Sequence, residues 1–107
     1  MSKKTVLITG GASGMGLLLG QCYAKEGANV ALVDIDNENL DRRVAEIQEY
    51  SPDVLGIAID IRDYAEVERA RDLTVERFGS IDILINCAGG AECRICKASG
   101  EFHEIPI

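Results

Sequence analysis

Apolar residues in this chain gather into short continuous runs, separated by longer stretches in which they recur every third or fourth position. The runs are Thr5–Thr9, Asn29–Val33, Val54–Ile59 and Asp82–Cys87. Within them apolar positions follow one another instead of alternating with polar ones, the pattern of strands covered on both faces. The stretches between read as helices. One opens near Gly14, runs to about Glu26 and closes at Gly27. The next starts at Asp36-Asn37 and runs to about Tyr50, with Leu40, Val44 and Ile47 on one stripe, and Ser51-Pro52 stops it. A third spans Tyr64 to Phe78 and ends at Gly79. Residues 91–107 show no convincing period and read as a loop, with a helix as the alternative towards the end.

The order β-α-β-α-β-α-β, with strands buried on both faces, predicts an α/β fold built on a parallel sheet with right-handed crossovers. The first strand leads into Thr9-Gly10-Gly11-Ala12-Ser13-Gly14-Met15-Gly16, and a helix follows at once. Glycine lacks the Cβ that would keep backbone away from a pyrophosphate, and a helix N-terminus offers unpaired N–H groups and a positive dipole end. A glycine cluster by itself is also what a plain tight turn looks like. Its place between first strand and first helix predicts a dinucleotide site in a doubly wound sheet of Rossmann type, strand order 3-2-1-4. Asp34 ends the second strand, 18 residues beyond Gly16. A carboxylate there suits ribose hydroxyls and repels a 2′-phosphate, although a solvated strand-end acid would look the same. Neither Ser13 nor Ile35 is basic, so no cation stands where a 2′-phosphate would need one. NAD is therefore the expected cofactor.

Composition narrows the partners. With 107 residues there is room for one small domain, and 47% hydrophobic with 27% charged residues is ordinary globular content. The net charge of −7 disfavours nucleic acid and anionic membrane. The apolar run after Lys3-Lys4 breaks at Thr9-Gly10-Gly11, too short for a signal sequence or membrane span, which predicts a cytoplasmic protein. Cys22, Cys87, Cys93 and Cys96 are then expected as reduced thiols, Cys22 in the core of the first helix. Cys93-Arg-Ile-Cys96 with Cys87 and His103 could instead form a zinc or redox site, but a single C-x-x-C without a helix N-terminus favours plain loop cysteines. No metal is expected.

Taken together, Thr9-Gly10-x-x-x-Gly14-x-Gly16, Asp34, Asp60-Ile61 and Asn86-Cys87-Ala88-Gly89 resemble the short-chain dehydrogenase/reductase family, in order and at the family's spacings over residues 3 to 90. The resemblance implies an NAD-dependent oxidoreductase that moves hydride between nicotinamide and an alcohol or carbonyl, working as a homo-oligomer when complete. It further implies a cofactor site of Gly10, Ser13, Gly14, Met15, Gly16, Asp34, Ile35, Asp60, Ile61, Asn86, Ala88 and Gly89. Asp60 and Ile61 would border the adenine; Asn86, Ala88 and Gly89 would close the pocket beyond the fourth strand. A turn or helix-capping role for Asp60 is the plainer alternative. Cys87 stands where the family usually has a second Asn, and a thiol cannot replace the amide's hydrogen bonds.

The family's catalytic Tyr-x-x-x-Lys is missing. Gly27, Val54 and Glu68 follow Tyr23, Tyr50 and Tyr64 at that spacing, so no catalytic residue is assigned. Residues 1–90 are thus expected to form an NAD-binding half-domain and residues 91–107 a tail leading to an absent catalytic half, the fourth strand being left as an open edge. The alternatives are a stand-alone, non-catalytic NAD-binding module and, behind it, a Cys/His metal-binding protein.

Overall fold

Strands without a polar face need cover on both sides, and three helices supply it. A computed structural model describes residues 3–12, 14–87 and 94–97. The elements are β1 (Thr5–Thr9), α1 (Gly14–Lys25), β2 (Asn29–Asp34), α2 (Asn37–Gln48), β3 (Val54–Ala58), α3 (Tyr64–Phe78), β4 (Ile83–Asn86) and β5 (Arg94–Lys97). The sheet runs β3-β2-β1-β4-β5. β1 pairs in parallel with β2 from Thr5↔Asn29 and with β4 from Val6↔Ile83, and β2 pairs in parallel with β3. This is the doubly wound 3-2-1-4 arrangement that the sequence predicts.

Successive strand residues face opposite sides, so each run feeds two cores. On one face Val6, Ile8, Val30, Leu32 and Ile85 pack with Ala24 of α1 and with Leu40 and Ile47 of α2. On the other, Leu7, Ala31, Val33 and Leu84 pack with Val67 and Ala70 of α3. Burying each Leu, Ile or Val contributes roughly 1.5–3 kcal/mol, and truncating Leu32 to Ala would cost about 2–5 kcal/mol.

The helices meet the sheet through faces the sequence only partly discloses. α1 buries Gly16, Gly20 and Ala24, spaced i, i+4, i+8. A Cβ on Gly20 would lie 2.7 Å from Leu32 Cδ2, so only small residues allow this approach. Cys22 lies on the opposite side of α1 and is exposed and free, which corrects its expected place in the core. In α2 the predicted stripe holds: Leu40 and Ile47 are buried and Val44 packs against them.

The fourth strand is not an open edge. β5 runs antiparallel to it, with Ile83↔Lys97, Leu84↔Cys96, Ile85↔Ile95 and Asn86↔Arg94. A strand therefore occupies Arg94–Lys97 within the stretch expected to be a loop. Four residues are too few to show a period, and main-chain pairing with β4, not side-chain pattern, is what orders them. The rest of the expected tail, with the possible helix near its end, Cys93 and His103, lies outside the described residues.

Candidate functional site

All four parallel strands deliver their C-terminal ends to one edge of the sheet. There β1 lies between β2 and β4, where the chain's connections change direction and doubly wound sheets open a crevice. The turn leaving β1 is shaped by glycine. Gly10 and Gly14 take φ of 68° and 59°, in the left-handed region that other residues avoid. A Cβ on Gly14 would meet nothing within 4 Å, whereas one on Gly16 would sit 2.2 Å from Gly10 O. The first glycine thus leaves open space at the start of α1, and the last lets the helix lie directly on the turn. The Gly11 amide donates to Val33 O at 3.0 Å, tying the turn to β2.

Charge at the three helix starts differs in a telling way. Asp36 caps α2 and Asp63 caps α3, with Glu38 and Glu66 in their first turns. α1 has no acid in its first turn. Met15 beside it is 49% exposed.

Asp34 stands at the end of β2, half-buried, with both carboxylate oxygens engaged by backbone. Oδ2 accepts from Ala12 N at 3.0 Å and Oδ1 from Asp36 N at 3.1 Å. The carboxylate is thereby fixed beside the glycine turn. Ile35, next along the chain, is 65% exposed. The turn is held from the far side as well: Asn39 Nδ2 donates to Ala12 O at 2.8 Å, and Arg42 Nη2 donates to Asn39 Oδ1 at 2.6 Å. No motif flags Asn39; only the packing of α2 against the turn reveals it.

Asp60 lies one strand further out, past β3, linked to the same edge by the Ile59 amide donating to Asp34 O at 3.0 Å. Its Oδ1 accepts from Arg62 N and Nε, and its Oδ2 from Arg62 Nη2 at 2.9 Å. These hydrogen bonds from Arg62, foremost those of its side chain, lower the Asp60 pKa to about 2. Ile61 packs partly buried against the α3-side core. At the end of β4, Thr9 Oγ1 donates to Asn86 Oδ1 at 2.8 Å, and the Cys87 amide donates to Thr9 O at 3.1 Å.

The structure thus places Gly10, Gly14, Met15, Gly16, Asp34, Ile35 and Asn86 along the C-terminal edge of β1, β2 and β4, with Asp60 and Ile61 further out past β3. Ser13, Ala88 and Gly89 lie outside the described residues. Cys87 is buried and disulfide-bonded, not the reduced thiol expected from sequence.

This edge thus gathers the glycine turn, the start of α1 and the Asp34 and Asp60 carboxylates. A tyrosine acid/base is a different matter. Lys25 Nζ lies 5.7 Å from the Tyr50 ring centroid, but at the ends of α1 and α2 remote from the glycine turn. The Tyr50 hydroxyl is shifted upward, by burial first and then by Cys22 and Glu46, the reverse of what proton transfer near neutrality requires. Among the described residues no group of three His, Cys, Asp or Glu is placed to hold a metal. Nor is any helix long and apolar enough to cross a membrane.

Known proteins share this arrangement. The family model for short chain dehydrogenases matches residues 4–106. A sorbitol dehydrogenase from Cereibacter sphaeroides is 44% identical over 85 residues, covering 79% of this chain and 32% of that enzyme. The crystal structure of 3-ketoacyl-(acyl-carrier-protein) reductase from Brucella melitensis complexed with NADH superposes with a TM-score of 0.72 at 37% identity, covering 78% of this chain and 33% of that one. L-Sorbose reductase from Gluconobacter frateurii, complexed with NADPH and L-sorbose, gives 0.78 at 33% identity, over 86% of this chain and 35% of its own. The chain spans about a third of the length of these relatives. With nearly its whole length matched, and the glycine turn, Asp34 and Asn86 at one sheet edge, the chain belongs to the short-chain dehydrogenase family.

Proposed function

We propose that residues 1–90 form the NAD(H)-binding part of a short-chain oxidoreductase. With a catalytic half added, such an enzyme transfers hydride between the nicotinamide and an alcohol or carbonyl substrate, as a homo-oligomer. The observation that carries the reading is Asp34, fixed by the amides of Ala12 and Asp36 at the end of β2, beside the glycine turn. Its carboxylate would accept the adenosine ribose hydroxyls. The start of α1, with Gly14, Met15 and Gly16, would face the diphosphate. Asp60 and Ile61 would border the adenine, and Asn86, with Ala88 and Gly89 beyond it, the nicotinamide side. When bound, the cofactor supplies the hydride chemistry; the protein's part is to grip, orient and discriminate.

NAD is favoured over NADP because Asp34 would confront a 2′-phosphate with like charge, an effect of roughly ten- to a hundredfold. Fluorescence titration tests this: the chain should bind NADH tighter than NADPH by that margin, and Asp34→Asn should bring the two affinities together. Equal affinities in the unaltered protein would overturn the assignment. Without a Tyr-x-x-x-Lys, the 107-residue chain is expected to turn over no NADH above a buffer blank. A second reading, a non-catalytic NAD-binding module, is favoured by one observation: β5 covers the β4 edge, so the sheet does not end on an apolar strand. NADH binding by a monomeric chain that unfolds cooperatively would support it.

A further inference from the structure

Asn39 belongs to none of the family's motifs, yet it holds the turn on which the nucleotide reading depends. The Ala12 residue is gripped on both sides: its N–H donates to Asp34 Oδ2 at 3.0 Å, and its carbonyl accepts from Asn39 Nδ2 at 2.8 Å. Ala12 is itself buried, 1% exposed, so these two bonds are made out of contact with bulk solvent. Asn39 has its own brace in Arg42 Nη2, 2.6 Å from Asn39 Oδ1, which fixes the amide with its donor towards the turn. These side chains border a groove of about 630 Å³ shared with Asp36, Glu38 and Arg43.

We propose that Asn39 is a positioning residue that sets nucleotide preference: it locks the Ala12 peptides and, through them, the aim of Asp34. The inference rests on reading the glycine turn and Asp34 as an NAD site. The Ala12 carbonyl and the Ala12 N–H belong to successive planar peptides that meet at one Cα, so pinning the carbonyl restrains rotation about that Cα and with it the placement of the N–H that Asp34 accepts. A carboxylate pinned by two N–H groups cannot swing away from an approaching 2′-phosphate, and its repulsion is exerted in full. Released on one side, Asp34 can turn aside, and the penalty on NADPH shrinks while NADH loses a pre-set partner.

The test compares NADH and NADPH dissociation constants for the full chain and for Asn39→Ala, Asn39→Asp and Arg42→Met. Asn39→Ala should weaken NADH roughly three- to tenfold, the range of one lost hydrogen bond. NADPH should weaken less, so the preference for NADH falls by about threefold or more. Asn39→Asp sets an acceptor against Ala12 O and should do at least as much; Arg42→Met should act in the same direction but less. Both nucleotides sample the same folded molecules, so the ratio of their constants does not depend on how much of a variant folds. An unchanged ratio in both Asn39 variants overturns the proposal while leaving the NAD site standing. Selective loss of NADPH in Arg42→Met also overturns it, because Arg42 would then be a phosphate ligand. Failure of the unaltered chain to bind either nucleotide removes the NAD reading and this inference together.

Discussion

Both carboxylate oxygens of Asp60 are taken by Arg62, a residue only two positions away. The pair is exposed, and such pairs contribute little to stability, but it keeps the Asp60 carboxylate charged past the end of β3. A carboxylate whose pKa is depressed contributes stability above its unfolded value and loses it as pH falls through the folded one. For Asp60 that window runs from the ordinary aspartate value of 3.8 down to about 2, so the contact is intact near neutral pH. NMR titration should place the Asp60 carboxyl near 2, and Arg62→Met should return it towards 3.8. A titration near 3.8 in the unaltered protein would remove the clamp. The sequence discloses Asp60 through its motif but not its partner, because an i, i+2 grip exists only once the turn after β3 has formed. Asn39 escapes for the same reason: its use depends on α2 meeting a loop 27 residues earlier in the chain.

At the scale of elements, local chemistry decided most boundaries. β1 and α3 span the residues their apolar patterns predict, Thr5–Thr9 and Tyr64–Phe78, and the other ends differ by a residue or two where helices fray and strands hand over to turns. Asp63 starts α3 with its side chain accepting from Ala65 N at 3.0 Å. Asp63→Ala should lower stability by about 0.5–2 kcal/mol, read by urea unfolding, and leave NADH affinity alone. Gly16→Ala should strike stability and binding together. Its Cβ would meet backbone, Gly10 O at 2.2 Å, which cannot rotate aside as a side chain can. NADH binding should be lost along with about 1–3 kcal/mol or more of stability. Normal NADH binding by Gly16→Ala would mean that the turn is not the phosphate cradle. What the helical pattern hid was the small-residue face of α1: Leu17, Leu18 and Leu19 draw the eye, yet Gly16, Gly20 and Ala24 are the buried positions.

For the molecule as a whole, β5 alters the expected edge. Without it the sheet would end on Ile83-Leu84-Ile85, an apolar strand with open N–H and C=O groups and a template for self-pairing. With it the outermost strand is Arg94–Lys97, basic at both ends. A chain cut after Gly90 should therefore self-associate more than the full chain in size-exclusion chromatography with light scattering, and identical elution would show that β5 protects nothing. Its antiparallel direction also bears on the order of folding. β4 and β5 pair positions at most 14 apart, Ile83 with Lys97, whereas Val6 must find Ile83 across 77 residues. Hairpins close in roughly 1–10 μs, and long-range parallel pairing is far slower. In the doubly wound order the place beside β4 otherwise goes to a further strand, reached by a crossover. During synthesis the hairpin can close before residues beyond it exist, so a longer polypeptide carrying this segment would have to unzip four paired residues before another strand could dock there.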